Sequence, residues 1–249
     1  SAQDSLYEYG MTPVSIENGK LVSGNAFHND AATADIQTSN MTGTTDQYYG
    51  HFFFGNADIK NTSFDNNTLK TDGPNGVVYF NSSVKLYPTS YEVETPNTVT
   101  VTNSSFNGNK IESTGGTASI NSTSKAGAVM IKGTNVTFND VAFNDNSASG
   151  GTHAQAMGGA VYLDTTSNTA NHDGQKRVLK ASATFNVTKD TTYAGNKVSG
   201  VDAYSDTYGS YAKTGGGFMY MDRGGEANFN VADGVTLKIG KDGETDANT

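Results

Sequence analysis

Residues 127–146, Gly-Ala-Val-Met-Ile-Lys-Gly-Thr-Asn-Val-Thr-Phe-Asn-Asp-Val-Ala-Phe-Asn-Asp-Asn, contain the two local patterns that decide the fold. The first is a glycine ahead of a short apolar run, here Gly127 before Val129-Met130-Ile131. The second is an aromatic residue followed three positions later by asparagine, here Phe143 and Asn146. Short apolar runs bounded by Gly, Asn, Asp or Ser are typical of β-strands, so this stretch predicts strands separated by tight turns.

Both patterns recur along the chain. The glycines that lead an apolar run are Gly50, Gly76, Gly127, Gly159 and Gly217. The aromatic residues and their asparagines are Phe64 with Asn67, Phe106 with Asn109, Phe143 with Asn146, and Tyr193 with Asn196. The spacing between repeats is unequal, which indicates that long units carry insertions at fixed positions of the coil. The predicted long loops are residues 81–98, 112–126, 164–182 and 197–214.

A parallel β-helix explains why these residue types recur. Successive rungs lie about 4.8 Å apart, so repeated aromatic residues stack inside and bury a large apolar area. An asparagine at a turn adopts the left-handed αL region at low cost and bonds the turn backbone. Paired glycines allow a sharp corner where a Cβ would clash, and the small Ala160 fits behind Gly158 and Gly159.

We therefore predict an all-β fold, a right-handed parallel β-helix (β-solenoid) with loop insertions. Its repeats are predicted to occupy residues 46–249, with residues 1–45 as an N-terminal cap or leading coils. A β-sandwich or jelly roll is the alternative.

Composition narrows the classes of function. Hydrophobic residues make up 35% of the chain and charged residues 16%, which suits narrow apolar stripes between polar turns. The net charge is −9 and no basic run is present, so nucleic acid is not an expected partner. The chain has no cysteine, which excludes disulfides and cysteine-based metal or catalytic sites. No apolar run approaches the roughly 20 residues of a membrane-spanning helix, so this segment is not expected to insert into a membrane.

The same repeats carry a family resemblance. Gly158-Gly159-Ala160-Val161, together with Phe64-Asp65-Asn66-Asn67, Phe106-Asn107-Gly108-Asn109 and Phe143-Asn144-Asp145-Asn146, resembles the GGA(I/L/V) and FxxN repeats of the chlamydial polymorphic membrane proteins. The chain is similar more broadly to the β-helical passengers of bacterial autotransporters. This resemblance implies type V secretion, display at the outer membrane and cell surface, and attachment to host cells or other bacteria.

The sequence offers little for catalysis. No histidine lies in a recognisable motif with serine and aspartate, and neither cofactor nor metal is expected. The enzymatic alternative is a β-helical polysaccharide lyase or hydrolase, in which carboxylates and a basic residue share one face. The residues available for it are Asp140, Asp145 and Asp164, with Arg177 and Arg223.

Binding has one candidate segment, residues 199–214. Tyr204, Tyr208 and Tyr211 alternate there with Ser, Gly and Asp, a composition that suits contacts to a protein or a sugar. The alternative is that these tyrosines pack the loop onto the wall of the helix. We thus expect a non-enzymatic adhesin, monomeric or self-associating through its long side, that binds a surface protein or glycan. A structural surface stalk with no specific ligand is the remaining alternative.

Overall fold

The computed structural model describes residues 14–23, 27–28, 40–42, 51–86, 89–92, 95–115, 122–152, 154–169, 176–205 and 210–240. These residues form β-strands joined by turns, and no α-helix lies within them. The first half of the strands, in chain order, is β1 (Val14–Glu17), β2 (Lys20–Ser23), β3 (Phe27–His28), β4 (Asn40–Thr42), β5 (His51–Phe54), β6 (Ala57–Lys60), β7 (Thr68–Thr71), β8 (Val78–Asn81), β9 (Ser83–Leu86), β10 (Thr89–Glu92), β11 (Thr98–Thr102), β12 (Ser105–Asn107), β13 (Lys110–Ser113), β14 (Ser124–Lys125) and β15 (Val129–Lys132). The second half is β16 (Asn135–Asn139), β17 (Ala142–Asn144), β18 (Ser147–Ser149), β19 (Ala156–Met157), β20 (Val161–Asp164), β21 (Thr166–Thr169), β22 (Lys176–Leu179), β23 (Ser182–Val187), β24 (Thr191–Tyr193), β25 (Lys197–Ser199), β26 (Ala203–Ser205), β27 (Ser210–Ala212), β28 (Met219–Met221), β29 (Glu226–Val231) and β30 (Leu237–Ile239).

Most strands belong to three long sheets. Sheet I has the order β2-β1-β6-β11-β16-β23-β29, sheet II the order β25-β18-β13-β7-β4, and sheet III the order β28-β20-β15-β8-β5-β3. The pairs within these sheets are parallel, except β1 with β2 and β3 with β5. Short parallel pairs, β12 with β17, β14 with β19 and β24 with β30, lie at the turns between the sheets.

Apart from the edge strands β2 and β3, the strands of these sheets follow one another along the chain in the fixed order I, II, III, and the chain then returns to sheet I beside its previous strand. We call each such passage a rung. The rungs are rung 1 (β1, β4, β5), rung 2 (β6, β7, β8), rung 3 (β11, β13, β15), rung 4 (β16, β18, β20), rung 5 (β23, β25, β28) and rung 6, of which β29 and β30 are described. The prediction of an all-β fold is confirmed, with parallel strands in stacked sheets. This arrangement is compatible with a β-solenoid and differs from the antiparallel pairing of a sandwich.

Alternation of side chains along each strand creates the core. In β23, Ala183, Phe185 and Val187 are buried while the residues between them are partly exposed. The register places Phe138 of β16 directly beside Phe185, so buried residues lie beside buried residues from rung to rung. Because strand side chains point alternately to the two faces, the inward residues of all three sheets share one narrow interior.

Insertions leave the stack as antiparallel hairpins. The hairpins β9–β10 and β21–β22 both lie at the passage from sheet III back to sheet I, within the predicted loops 81–98 and 164–182. The hairpin β26–β27 lies between sheets II and III of rung 5, within the predicted loop 197–214. The predicted loop 112–126 contains the end of β13 and all of β14, and residues 116–121 within it lie outside the described part.

The segment predicted as a cap or leading coils, residues 1–45, contributes strands to all three sheets. Strands β1 and β4 pair in parallel with β6 and β7, as the later rungs do. Strand β2 pairs antiparallel with β1 at the edge of sheet I, and β3 pairs antiparallel with β5 at the edge of sheet III. The remaining residues of this segment lie outside the described part.

Candidate functional site

Each of four successive rungs carries a fully buried asparagine, three residues after the aromatic residue of the predicted repeat. These are Asn67, Asn109, Asn146 and Asn196, each with 0% exposure. Consecutive members are separated by 42, 37 and 50 residues, which explains why no strict sequence period exists. We call this column the asparagine ladder.

The two inner members of the ladder, Asn109 and Asn146, each bond to the rungs on both sides. Nδ2 of Asn146 donates to the carbonyl oxygen of Phe106 at 2.6 Å and to Oδ1 of Asn196 at 2.9 Å. Oδ1 of Asn146 accepts from the backbone N–H and from Nδ2 of Asn109, at 3.1 and 3.0 Å. The same bond to the aromatic carbonyl recurs from Asn109 to Phe64 and from Asn196 to Phe143. Since a buried amide without partners is costly, this pairing favours one register of the rungs.

The backbone of this turn differs from the sequence-based expectation. The residue in the αL region precedes the ladder asparagine, and the column consists of Asn66, Gly108, Asp145 and Gly195, with φ between 57° and 72°. The expectation that the repeated asparagine itself adopts αL is wrong, because its side chain points into the interior to reach the adjacent rungs. The αL column lies at the partly exposed outside of the turn.

Space also constrains this αL column. A Cβ at Gly108 would lie 2.4 Å from Oδ1 of Asn66, and a Cβ at Gly195 would lie 2.0 Å from Oδ1 of Asp145. In this column a residue that has a side chain therefore alternates with a glycine from one rung to the next. The side chain of one rung covers the glycine of the next.

The repeated aromatic residues occupy one interior column. Phe106 stacks nearly parallel on Phe64 and on Phe143, with ring centroids 4.9 and 5.3 Å apart. Tyr193 breaks the parallel stack and meets Phe143 edge-on, at 5.5 Å and 86°. Its ring instead stacks on Phe218, at 5.0 Å and 18°. Both arrangements are favourable geometries for aromatic pairs.

The glycine corner precedes the strands of sheet III. Gly158 has φ +75°, and a Cβ on Gly159 would lie 2.0 Å from the carbonyl oxygen of Gly217. A Cβ on Gly127 would likewise lie 1.9 Å from the carbonyl oxygen of Gly159. Ala160 is fully buried directly behind this corner. Only glycine fits where these backbones approach each other.

The corner of rung 2 is shorter by one residue. Gly76 has φ +73° and donates its N–H to the carbonyl of Lys125, which places it at the αL position filled by Ala126 in rung 3. Grouping Gly76 with Gly127 and Gly159 was therefore wrong, although the following Val78 does pair with Val129. Gly50 lies outside the described residues.

The structure contains a second ladder, which neither the glycine-led runs nor the aromatic-to-asparagine spacing predicts. Phe185 stacks between Phe138 and Phe229, at 5.2 and 4.8 Å. The asparagine that follows each of these residues joins a partly exposed column, in which Asn186 donates to Asn139 at 2.8 Å and Asn230 donates to Asn186 at 2.9 Å. The detectable signal was the dipeptide Phe-Asn, repeated after 47 and 44 residues.

Two of the three predicted ligand-binding tyrosines lie in the strands of the third hairpin. The backbone of Tyr204 in β26 is directly opposite Tyr211 in β27. Tyr208 belongs to the segment 206–209, outside the described residues, and the side chains of Tyr204 and Tyr211 are also outside the described part. The described backbone thus places two of the three tyrosines side by side on a hairpin that leaves the stack.

A partly buried polar cluster lies at sheet III. The rings of Tyr162 and Tyr220 stack at 5.2 Å, and the Tyr162 hydroxyl donates to Asp222 at 3.4 Å. Burial, with the nearby charge of Asp222, raises the pKa of Tyr162 well above its usual range. Burial also raises the pKa of the Asp164 carboxyl, although the positive charge of Lys132 acts to lower it. Tyr162 itself is only 3% exposed, so its ring contributes to packing, while Tyr220 is partly exposed and Asp222 is exposed.

The three carboxylates of the enzymatic alternative lie at separate places in rung 4, whereas Arg177 lies in β22 and Arg223 follows β28. Asp140 follows β16 and accepts hydrogen bonds from the backbone N–H and hydroxyl of Thr188. Asp145 lies in the turn between β17 and β18, and Asp164 ends β20. Among the described residues, no group of three or more His, Cys, Asp or Glu side chains is placed to hold a metal ion. The described part also contains no helix with the length and apolar character needed to cross a membrane.

Comparison of the chain with known protein families, with curated proteins and with solved structures finds no match in any of the three.

Proposed function

We propose that this chain is part of the surface-displayed passenger of an autotransporter-type adhesin, folded as a right-handed parallel β-helix. In this role it lies outside the cell, exported by type V secretion. It attaches the bacterium to a protein or glycan on host cells or on other bacteria and performs no catalysis.

The stacked parallel sheets support the fold part of the proposal. The chain returns to sheet I after each rung and pairs in parallel with its previous strand there. Parallel strands of one sheet are joined by right-handed connections in about 98% of cases, which favours the right-handed form. The buried Phe64, Phe106 and Phe143 column and the Gly158-Gly159-Ala160 corner fall at equivalent positions of successive rungs, as the FxxN and GGA resemblance implies.

One observation carries the adhesin role: hairpins project from a stack whose turn side chains are largely bonded to one another. Strand β15 passes to β16 through the two residues Gly133 and Thr134, whereas the equivalent passages before and after it carry the hairpins β9–β10 and β21–β22. The stack therefore does not need these hairpins to continue. Extra segments on a rigid scaffold are typical of binding elements.

The test removes two of the three hairpins, β21–β22 and β26–β27, each by copying a shorter passage from the same protein. In one variant the residues between β20 and β23 are replaced by Gly-Thr, the passage found at 133–134. In the other, residues 200–214 are replaced by the sequence of residues 150–156, which makes the equivalent passage in rung 4. Adherence of beads coated with each protein to epithelial cells and to bacteria is then measured.

We expect the intact chain to adhere, and at least one hairpin variant to lose most adherence while retaining its β-sheet circular dichroism. The variant that retains adherence serves as the matched control for the other. Release of unsaturated or reducing sugars from polysaccharides would overturn the proposal in favour of a lyase or hydrolase. Failure of the intact chain to adhere to any surface would overturn it in favour of a structural stalk.

A further inference from the structure

A polar groove runs along the stack at the turn that follows sheet I. Its walls come from equivalent turns of four rungs, and its volume is about 370 Å³. Three inter-rung steps of about 4.8 Å give it a length of about 14 Å. We call it the amide groove, and its lining includes Asn61, Ser63, Asn103, Ser105, Asp140 and Lys189.

The backbone of the amide groove is already engaged between rungs. Asn61 donates its N–H to the carbonyl of Thr102 at 3.0 Å, and Asn103 donates its N–H to that of Asn139 at 2.9 Å. The N–H of Ser105 donates to the carbonyl of Thr62 at 3.0 Å. A peptide that binds by adding a β-strand requires a free backbone edge, which these bonds remove.

The side chains of the groove differ from its backbone, because several of them make no hydrogen bond to the neighbouring rungs. Asn61 and Asn103 are exposed residues in the αL region, with φ 49° and 48°. Within the described part of the chain, neither side-chain amide makes a hydrogen bond, whereas the amides of both ladders bond from rung to rung. The groove thus presents amide donors and acceptors in adjacent rungs, at a repeat of about 4.8 Å.

The chemistry of the lining selects among ligands. The groove has one cationic side chain, Lys189, and one carboxylate, Asp140, which already accepts hydrogen bonds from Thr188. The chain as a whole has a net charge of −9, which disfavours acidic ligands. Amides and hydroxyls both donate and accept, as sugar hydroxyls do, so they suit a neutral ligand rich in hydroxyl groups.

We infer that the amide groove binds a neutral oligosaccharide, with its chain lying along the stack and its hydroxyls bonded to Asn61 and Asn103. This inference rests on the proposed adhesin function and names a neutral glycan as one of its partners. The site lies on the stack itself and not on the hairpins.

The test is the double variant Asn61→Gly with Asn103→Gly. Glycine adopts the αL region freely, so the variant removes both amides without backbone strain. The matched control is Asn66→Gly, which makes the same change at an αL asparagine outside the groove, with φ 59°. Each of the three proteins is applied to an array of neutral and acidic oligosaccharides, and the affinity for the best neutral oligosaccharide is then measured by calorimetry. Circular dichroism checks that all three proteins are folded.

We expect the intact chain to bind neutral oligosaccharides, the double variant to bind them about tenfold or more weakly, and Asn66→Gly to bind as the intact chain does. The inference fails if no neutral oligosaccharide is bound, if the double variant binds as tightly as the intact chain, or if Asn66→Gly loses binding to the same extent. Adherence of beads to cells is scored separately. If the intact chain adheres to cells and the double variant still binds the glycan, the groove is refuted and the adhesin role stands. If the intact chain does not adhere and the double variant loses glycan binding, the adhesin role is refuted and the groove stands.

Discussion

Asn146 and Phe106 lie in adjacent rungs, and Nδ2 of Asn146 donates a 2.6 Å hydrogen bond to the carbonyl oxygen of Phe106. The two residues are 40 positions apart in the chain. Each inner asparagine therefore acts twice: it satisfies a buried carbonyl of the rung before it and bonds the amide of the rung after it. Conversion of Asn146 to another residue should disturb three rungs at once.

Asn146→Ala leaves the amide of Asn109 and the carbonyl of Phe106 without these partners in the interior. We expect the free energy of unfolding to fall by about 2–4 kcal/mol, because unsatisfied buried polar groups cost about 1–3 kcal/mol each. The control is Asn139→Ala in the partly exposed ladder, where water replaces the lost partner and the expected cost is below about 1 kcal/mol. Urea denaturation followed by circular dichroism measures both, and equal losses would contradict the special role of the buried ladder.

Gly159→Ala would place a Cβ 2.0 Å from the carbonyl oxygen of Gly217. The atoms that this Cβ would meet all belong to the backbone, so the strands must shift, and we expect a loss of about 3 kcal/mol or more, or failure to fold. Gly215→Ala is the matched control, because a Cβ there meets nothing within 4 Å. It should leave stability unchanged or raise it by about 0.4–1 kcal/mol. Thermal melts compare them, and a well-folded Gly159→Ala protein would refute the tight corner.

Phe143→Ala removes a buried ring that contacts several others, including Phe106, Phe185 and Tyr193. We expect it to cost about 3–5 kcal/mol, the usual range for a buried aromatic residue. Phe229→Ala is the control, since Phe229 is 38% exposed in the last described rung and should cost about 1 kcal/mol. Denaturant titrations that gave the two variants similar stabilities would argue against a continuous aromatic interior.

The Asp164 carboxyl gives a prediction about pH. Burial raises its pKa in the folded protein, so its ionised form opposes folding at neutral pH, and this penalty disappears as the pH falls through the folded pKa. Asp164→Asn should therefore raise the melting temperature at pH 7, with a difference from the unchanged protein that shrinks toward acid pH.

Glu226 provides the control of opposite sign. A hydrogen bond from Lys180 lowers its pKa, so its charge favours folding above the unfolded pKa and this contribution is lost as the pH falls. Glu226→Gln should lower the melting temperature slightly at pH 7 and have no effect at acid pH. Melts recorded from pH 7 downward in which both variants shift in the same direction would contradict the assigned environments.

The sequence was sufficient to predict the all-β fold, because Phe64, Phe106 and Phe143 recur with their asparagines beside glycine-led strands. It did not reveal which turn residue adopts αL. That choice depends on the ladder asparagine pointing inward, a property of the stacked rungs that local preference does not contain. The short corner at Gly76 was misaligned for a similar reason, since a one-residue deletion is visible only once Val78 and Val129 are paired.

The amide groove was also outside the reach of sequence reasoning. Asn61 and Asn103 precede the repeat aromatics Phe64 and Phe106 by three residues, and this spacing was a usable signal. Residue type and local composition do not show which of these asparagines bonds to the next rung, however, because both kinds lie in polar, turn-rich stretches. The difference is whether the amide bonds to the next rung, and only the assembled stack decides that.

Successive rungs lie in parallel register, and because the sequence contains no cysteine, pairs of introduced cysteines test this register directly. Thr100 and Thr137 are paired on the outer side of sheet I, whereas Asp58 and Thr184 are separated by two intervening strands. The measurement is disulfide formation under mild oxidation, by mass spectrometry, in the variants Thr100→Cys/Thr137→Cys and Asp58→Cys/Thr184→Cys. The first pair should close readily, because adjacent strands lie about 4.8 Å apart, and the second pair, about 14 Å apart, should stay reduced. Closure of the second pair without the first would contradict the stacked-rung structure.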